Sequence, residues 1–191
     1  MVRRSPRSVT AGAIVGMLMS AGGAEPALAD QDDPRLGGLF RRLQSTSDAA
    51  EARSVEQRIW QVWLETDDAR LNRLMQQGIA AMQNRQYATA LQAFDRMVEQ
   101  APAFAEGWNK RATVHFLMGN WRASVEDIRQ TLALEPRHFG ALFGLGLIYE
   151  VLEQPAAALR SFEATLALNP HSASTRQKIE ELREQLRGSP T

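Results

Sequence analysis

Few side chains of this sequence could carry out chemistry, and the three histidines are the first to consider. Imidazole can bind zinc or transfer protons, and the histidines are His115, His138 and His171. The sequence shows neither a Ser-His-Asp arrangement nor a pair of catalytic carboxylates. Gly144 and Gly146 lie within a helical pattern rather than after a strand, which argues against a phosphate-binding loop. We therefore expect no enzymatic activity, no cofactor and no metal.

Cysteine is absent from all 191 residues. Its absence excludes disulfides, zinc–thiolate sites, iron–sulfur clusters and thiol nucleophiles. Lysine plus arginine and aspartate plus glutamate both number 22, so no net field favours nucleic acid or an anionic membrane. With 44% hydrophobic residues, the chain can form one domain with a continuous core.

The N-terminal segment has the three parts of a secretory signal peptide. Three arginines within the first seven residues form its basic start, an apolar run covers residues 9–21, and Ala27-Leu28-Ala29 forms the cleavage site. The apolar run is shorter than the ~20 residues that a membrane-spanning helix needs. We predict cleavage after Ala29 and a periplasmic location. The alternative is an uncleaved N-terminus that anchors the protein to the inner membrane.

Removal of residues 1–29 takes away three arginines and one glutamate, which leaves 19 basic and 21 acidic residues and a net charge near −2. The predicted mature chain is thus a mildly acidic, exported protein. The alanine-rich signal and the excess of arginine over lysine are typical of bacteria. Residues 30–34 are predicted to be a polar linker.

Residues 35–69 are predicted to form a helical hairpin. Apolar side chains at helical spacing indicate a first helix at about 35–45. Asp48, with Glu51 three residues later, predicts an N-cap and a capping box for a second helix at about 48–65.

Three prolines at a constant spacing organise the remainder of the chain. Pro102, Pro136 and Pro170 are 34 residues apart, and each closes a segment with the pattern of two amphipathic helices. Proline stops a helix because it lacks the N–H and clashes with the preceding turn. We predict three helical hairpins over residues 70–172, then a capping helix at 173–187 and a short tail at 188–191.

Equivalent positions of the three segments carry residues of similar size. Small residues let the two helices of a hairpin approach closely, and large residues fill the space between neighbouring hairpins. The small residues are Gly78, Gly146, Ala90 and Ala158, and the large ones are Trp108, Tyr149, Phe94 and Phe162. This arrangement resembles the 34-residue tetratricopeptide repeat, W-x2-L-G-x2-Y, then A-x3-F, then P. It departs from that pattern at Ala112, Ser124 and Pro155.

The resemblance implies an all-α, right-handed superhelix with repeats at 71–104, 105–138 and 139–172. Thirty-four residues before Pro102 stands Asp68, so the 35–69 hairpin is predicted to be a degenerate first repeat. Trp60 and Trp63 would then form the buried face of a capping hairpin. The alternative is that they form a platform for a ligand.

The first helices of tetratricopeptide repeats line a concave groove, and the resemblance therefore implies a partner-binding site. Placing the sequence on the repeat pattern predicts the groove residues Asn72, Met75, Ile79, Met82, Glu106, Asn109, Thr113, Phe116, Phe143, Leu147 and Glu150. Family members that grip a C-terminal carboxylate present lysine and asparagine at two places of the first repeat. Here Met75 and Ile79 occupy those places. The groove is therefore predicted to be apolar, with Asn109 able to hold a peptide backbone.

We accordingly predict a non-catalytic scaffold of the bacterial cell envelope that binds a protein or peptide partner. The alternative is a self-associating structural protein whose groove is filled by its own N-terminal hairpin. The repeat pattern also bears on the histidines, because His115 takes a place usually held by a packed tyrosine. Successive repeats place equivalent atoms about 10 Å apart, too far for shared ligation of one metal.

Overall fold

The computed structural model describes residues 33–188, which contain nine α-helices and no β-strand. In chain order these are α1 (Pro34–Ser45), α2 (Ala49–Leu64), α3 (Ala69–Gln83), α4 (Tyr87–Gln100), α5 (Ala105–Leu117), α6 (Trp121–Leu134), α7 (Phe139–Val151), α8 (Pro155–Leu168) and α9 (Ala173–Gly188). The expected all-α class is confirmed. The predicted signal peptide lies outside the described residues.

The six central helices form three hairpins, α3 with α4, α5 with α6, and α7 with α8. Neighbouring hairpins stack through α4 on α5 and α6 on α7, and α9 packs on α8. The second helix of each hairpin ends two residues before Pro102, Pro136 or Pro170. Each proline therefore lies just beyond the end of a helix, where its missing N–H breaks no helical hydrogen bond.

In the first and third repeats, the close approach of the two helices depends on a glycine that faces a phenylalanine. A Cβ atom on Gly78 would lie 2.3 Å from the ring of Phe94, and one on Gly146 would lie 2.5 Å from the ring of Phe162. Both phenylalanines are fully buried. Any larger residue at either glycine would have to displace a ring that the core holds on all sides.

The turn inside each hairpin requires one residue in the left-handed region. Arg85, Gly119 and Glu153 occupy this place, 34 residues apart, with φ of 57°, 77° and 55°. Only the second repeat uses glycine, the residue that adopts this conformation without strain. The positive φ therefore recurs at the same place of each repeat, whether or not the residue there is glycine.

Aspartate side chains cap both helices of the N-terminal hairpin, and the sequence predicted the cap of α2. Asp33 caps α1, and Asp48 caps α2 by accepting from the N–H groups of Ala50 (2.7 Å) and Glu51 (3.4 Å). The capping box is not completed, because the Glu51 carboxylate binds Thr46 and Arg42. The predicted N-cap is confirmed, and the predicted capping box is wrong.

The position of this hairpin differs from that of a repeat stacked ahead of α3. Its apolar core, built on Leu36, Phe40, Ile59 and Trp63, takes in Phe139 at the start of α7 and the partly buried Leu168 at the end of α8. Gln44 adds a hydrogen bond to the carbonyl of Ala167 (3.3 Å). Leu64, at the end of α2, packs on the core of the first repeat. The hairpin therefore packs mainly across the second and third repeats.

The final helix covers the open side of the third repeat. Thr175, Ile179 and Leu182 are buried, and the last two belong to the cluster around Phe162. Leu186, in the last turn of α9, is 39% exposed. No helix within residues 33–188 is long and apolar enough to span a bilayer.

Candidate functional site

A pocket opens between α5 and α7, and we call it the α5–α7 pocket. Its volume is about 190 Å³, which is space for one large apolar side chain. Its lining residues are Asn109, Ala112, Thr113, Phe116, Ser124, Ile128, Gly140, Ala141, Phe143, Gly144 and Leu147. Most of these residues are apolar or small, so the surface of the pocket is largely apolar and has few hydrogen-bonding groups.

Five of the eleven predicted groove residues line this pocket, namely Asn109, Thr113, Phe116, Phe143 and Leu147. Thr113 donates to the carbonyl of Asn109 (3.0 Å) and thereby uses its only donor within the helix. The Phe143 ring lies 5.2 Å from that of Phe162, which ties this wall to the core of the third repeat. The structure thus brings together the predicted residues of the second and third repeats.

The predicted residues of the first repeat lie elsewhere. Met75 is 7% exposed, and it packs with Ile79 and Met82 in the core of the first repeat. Asn72 donates to the carbonyl of Thr66 (2.8 Å) and so fastens the connection between α2 and α3. None of these four side chains lines the α5–α7 pocket.

The two predicted glutamates are also engaged. Glu150 forms an ion pair with Lys178 of α9 (3.2 Å), and Glu106 is fully buried. Both therefore hold helices together in this structure. Their predicted role as edges of an open groove is replaced by a structural one.

The groove prediction missed six of the eleven lining residues of the pocket, and two of them are glycines of α7. Gly140 and Gly144 stand one helical turn apart, and both line the pocket. A Cβ atom on Gly144 would meet only Ile128, at 3.7 Å. The signal for them is visible in the sequence as two glycines at i and i+4 on one helix face.

Beside the pocket lies a buried group of ionic and polar side chains, which we call the ionic anchor: Glu106, Asn109, Lys110 and His138. The Glu106 carboxylate receives hydrogen bonds at one oxygen from Asn109 Nδ2 (3.0 Å) and His138 Nε2 (2.9 Å). Its other oxygen lies 2.8 Å from Lys110 Nζ. Glu106 and His138 are 1% and 0% exposed, so these neighbours, rather than water, stabilise the charge of the carboxylate.

The hydrogen bonds determine which nitrogen of His138 carries the proton. Nδ1 accepts from the backbone N–H of Ala141 (3.1 Å) and caps the start of α7. Nε2 therefore carries the hydrogen and donates it to Glu106. One imidazole thus joins the start of α7 to α5.

The same network sets the ionisation of Glu106. Burial by itself raises the pKa of this carboxyl, but the charge of Lys110 and the hydrogen bond from His138 outweigh burial and lower the pKa from 4.5 to about 2. Glu106 is therefore ionised at neutral pH although it is removed from water.

The N-terminal hairpin docks on the ionic anchor through two tryptophans. The Trp63 ring stacks on His138 at 4.1 Å and 10°, and Trp60 meets the same imidazole edge to face at 5.5 Å. Trp60 also lies under Lys110 Nζ, 5.6 Å from its centroid. A Cβ atom on Gly140 would lie 2.4 Å from Trp60, so this glycine makes room for the ring. The two tryptophans lie in an intramolecular interface, as the prediction of a buried face expected, with Trp63 buried and Trp60 partly buried.

A second buried carboxylate supports the docking. Glu135 is 1% exposed and binds the side chain of Arg137 through both oxygens, at 2.9 and 2.8 Å. Trp63 Nε1 reaches one of these oxygens at 3.5 Å, and Arg137 lies over the Phe40 ring at 5.0 Å. Polar and aromatic groups from α1, α2 and the α6–α7 connection therefore meet in one interface.

A further group of ion pairs, centred on the partly buried Arg111, links α5 with α6 and with α4 of the first repeat. Arg111 holds Asp127 of α6 through two hydrogen bonds (2.8 and 2.7 Å) and Asp95 of α4 through a third (3.0 Å). His115 Nε2 lies 3.9 Å from the same Asp127. Within the described residues no group of three or more His, Asp or Glu side chains could hold a metal ion.

Comparison with known proteins identifies the family. Residues 75–117 and 110–173 match the model of the tetratricopeptide repeat, and together they make up more than half of the chain. The chain belongs to the tetratricopeptide repeat family. A tetratricopeptide repeat-containing protein of Rhizobium etli is 35% identical over 157 residues, which cover 82% of this chain and 77% of that protein.

Solved tetratricopeptide repeat structures share the fold. The first such domain of Spaghetti (RPAP3), bound to the HSP90 peptide SRMEEVD, superposes with a TM-score of 0.61 at 17% identity and covers 64% of this chain and 97% of that one. MamA superposes with a TM-score of 0.58 at 18% identity and covers 82% of this chain and 84% of that one. The expected tetratricopeptide superhelix is thereby confirmed.

Proposed function

We propose that this tetratricopeptide repeat protein is a non-catalytic interaction module that holds one apolar side chain of a partner protein in the α5–α7 pocket. The observation that carries the proposal is the pocket itself, which is open and largely apolar although the hairpin covers the neighbouring ionic anchor. Peptide binding by the domain of Spaghetti, seen in complex with an HSP90 peptide, supports a peptide as the partner.

The chemistry of the pocket narrows the partner. A volume of about 190 Å³ suits one leucine, methionine or phenylalanine side chain rather than the whole face of a helix. Burial of such a side chain contributes about 1.5–3 kcal/mol. Asn109 stands at the pocket wall with its amide nitrogen bound to Glu106, so its amide is held in place to hydrogen bond the partner's main chain. The partner is therefore a short extended segment with one large apolar anchor.

Filling the pocket should abolish this binding. Gly144→Leu adds a side chain at a position where a Cβ atom has room, so the helix is kept while the pocket is occupied. We expect a peptide selected on the wild-type protein from a random display library to bind Gly144→Leu at least ~10-fold more weakly, since 1.4 kcal/mol corresponds to that factor. Fluorescence anisotropy of the labelled peptide measures the change.

The matched control is Gly38→Leu on the open side of α1, where a Cβ atom meets nothing within 4 Å. It makes the same chemical change away from the pocket and should leave the affinity within about twofold of wild type. Equal peptide affinity for the wild-type protein and Gly144→Leu would refute the pocket as the binding site.

We further propose that the protein works in the bacterial cell envelope after export. The basic start, the short apolar run and the Ala27-Leu28-Ala29 site support a cleaved signal peptide. We expect the mature protein from a periplasmic fraction to begin at Asp30. Intact-mass measurement after osmotic shock tests this, and recovery of the full-length chain in the membrane fraction would favour the uncleaved anchor instead.

A further inference from the structure

The exposed large apolar side chains of the described chain are concentrated at one edge of the fold. Among residues 33–188, five large hydrophobic residues are exposed, and four of them lie at the C-terminal ends of the first helices of the second and third repeats. They are Leu117 (44%), Met118 (41%), Val151 (49%) and Leu152 (41%). We call these four residues the apolar ridge. Exposed apolar groups that cluster in this way mark interaction sites.

The repeat fold does not require the ridge. Leu117 and Val151 are equivalent positions, as are Met118 and Leu152, each pair 34 residues apart. The same two places in the first repeat hold Gln83 and Asn84, which are polar. Because a polar pair serves the turn equally well there, the apolar pairs need an explanation beyond folding.

Next to the ridge lies an open recess of about 1140 Å³. Trp121 and Tyr149, both half-buried, contribute aromatic surface to its wall, and Leu152 belongs both to the ridge and to the recess. The recess and the ridge therefore form one continuous surface. A protruding apolar part and a concave part side by side are what a two-fold, self-complementary interface needs, because each copy supplies both.

The charges around the recess also suit a second copy. Arg122, Arg129 and Glu126 line it, and Glu153 follows Leu152 at its border. Arg129 and Glu126 already pair with each other at 3.1 Å, so Arg122 and Glu153 are the opposite charges that can meet when two copies face each other. The predicted mature chain has a net charge near −2, so copies repel one another only weakly through net charge.

We propose that the apolar ridge and its recess form the interface of a two-fold symmetric homodimer. This surface is separate from the site of hairpin docking, since Glu106 and Leu117 lie about 16 Å apart along α5. Two copies can therefore pair through the ridge while each keeps its hairpin in place. The dimer requires no binding of a peptide to the α5–α7 pocket.

Sedimentation equilibrium of the full-length protein tests the dimer between about 1 μM and about 1 mM. The wild-type chain is expected to show a reversible monomer–dimer equilibrium. Met118→Glu combined with Leu152→Glu is expected to weaken dimerisation at least ~10-fold, because two-fold symmetry places each new charge against the interface twice. Since both side chains are 41% exposed, the variant should keep its helical circular dichroism.

The matched control is Leu186→Glu, which changes the one exposed large hydrophobic residue of the described chain outside the ridge. It should dimerise as the wild type does.

The absence of cysteine provides a second measurement, because Leu152→Cys introduces a single thiol. Oxidation should convert this variant to a covalent dimer faster than Leu186→Cys. A wild-type protein that stays monomeric throughout, or a dimer that the paired glutamates leave intact, would overturn the proposal.

Discussion

Replacing His138 with alanine is expected to lower the free energy of unfolding by about 3–5 kcal/mol. The change removes a hydrogen bond to a buried carboxylate, worth about 1.5–3 kcal/mol, and leaves Glu106 ionised with fewer donors. It also removes the side-chain cap of α7, worth about 1 kcal/mol, and the ring stacked on Trp63, worth about 0.5–1.5 kcal/mol. Urea unfolding followed by circular dichroism measures the loss.

His171→Ala is the matched control for this variant. His171 is half-buried in the turn before α9, and its backbone N–H rather than its ring binds Asn169 (3.2 Å). We expect a loss below about 1 kcal/mol there. Hydrogen exchange should locate the damage of His138→Ala in α2 and the start of α7, with less change in α9. A loss at His138 no larger than that at His171 would show that the imidazole does not anchor the hairpin.

The features that the sequence predicted correctly are those set by local rules. The 34-residue spacing of the prolines, the small residue at position 78 and the aspartate cap of α2 all depend on residues within one or two helices. The place of Phe94 was predicted wrongly, because its ring packs on Gly78 inside its own hairpin and not between neighbouring hairpins. The physical cause of such patterns is local, because proline ends a helix and glycine permits close packing wherever they occur. The all-α class and the repeat fold could therefore be predicted from the sequence alone.

The placement of the N-terminal hairpin could not be predicted in this way. Trp63 stacks on a residue 75 positions further along the chain, and the sequence contains no local signal for that pairing. Register counting from Pro102 suggested a repeat that precedes α3, whereas burial of the two tryptophans favoured the junction of the second and third repeats. The hairpin would bury the same apolar face ahead of α3 or at the junction of the second and third repeats, so only tertiary contacts decide between the two places.

The groove prediction failed in part for the same reason. The repeat pattern states which side of a helix faces the groove, and by that rule Glu106 was assigned to an open edge. The pattern carries no information about a segment that covers the groove. It therefore could not predict that Glu106 is fully buried next to the docked hairpin. The residues that stayed open, such as Phe116 and Leu147, lie further along α5 and α7 from the docking site.

Acid should destabilise the protein through Glu106. The folded-state pKa of this carboxyl is about 2 and its ordinary value is 4.5, so the folded state favours the ionised form. Its contribution is therefore fully present above pH 4.5 and is lost as the pH falls toward 2. The difference between the two pKa values corresponds to about 3 kcal/mol. Urea unfolding at a series of pH values between about 6 and 2 measures the loss.

Comparison with Glu106→Gln isolates this carboxyl from the other acids that titrate in the same range. The variant is expected to be less stable than the wild type at pH 6 and to show a shallower decline on acidification, so that the two stability curves converge toward pH 2. Lys110→Met provides the opposite test. Without the ammonium 2.8 Å from the carboxylate, the pKa of Glu106 rises, so the decline should begin at a higher pH. Parallel curves for the wild type and Glu106→Gln would mean that Glu106 is not the buried, ionised centre of the anchor.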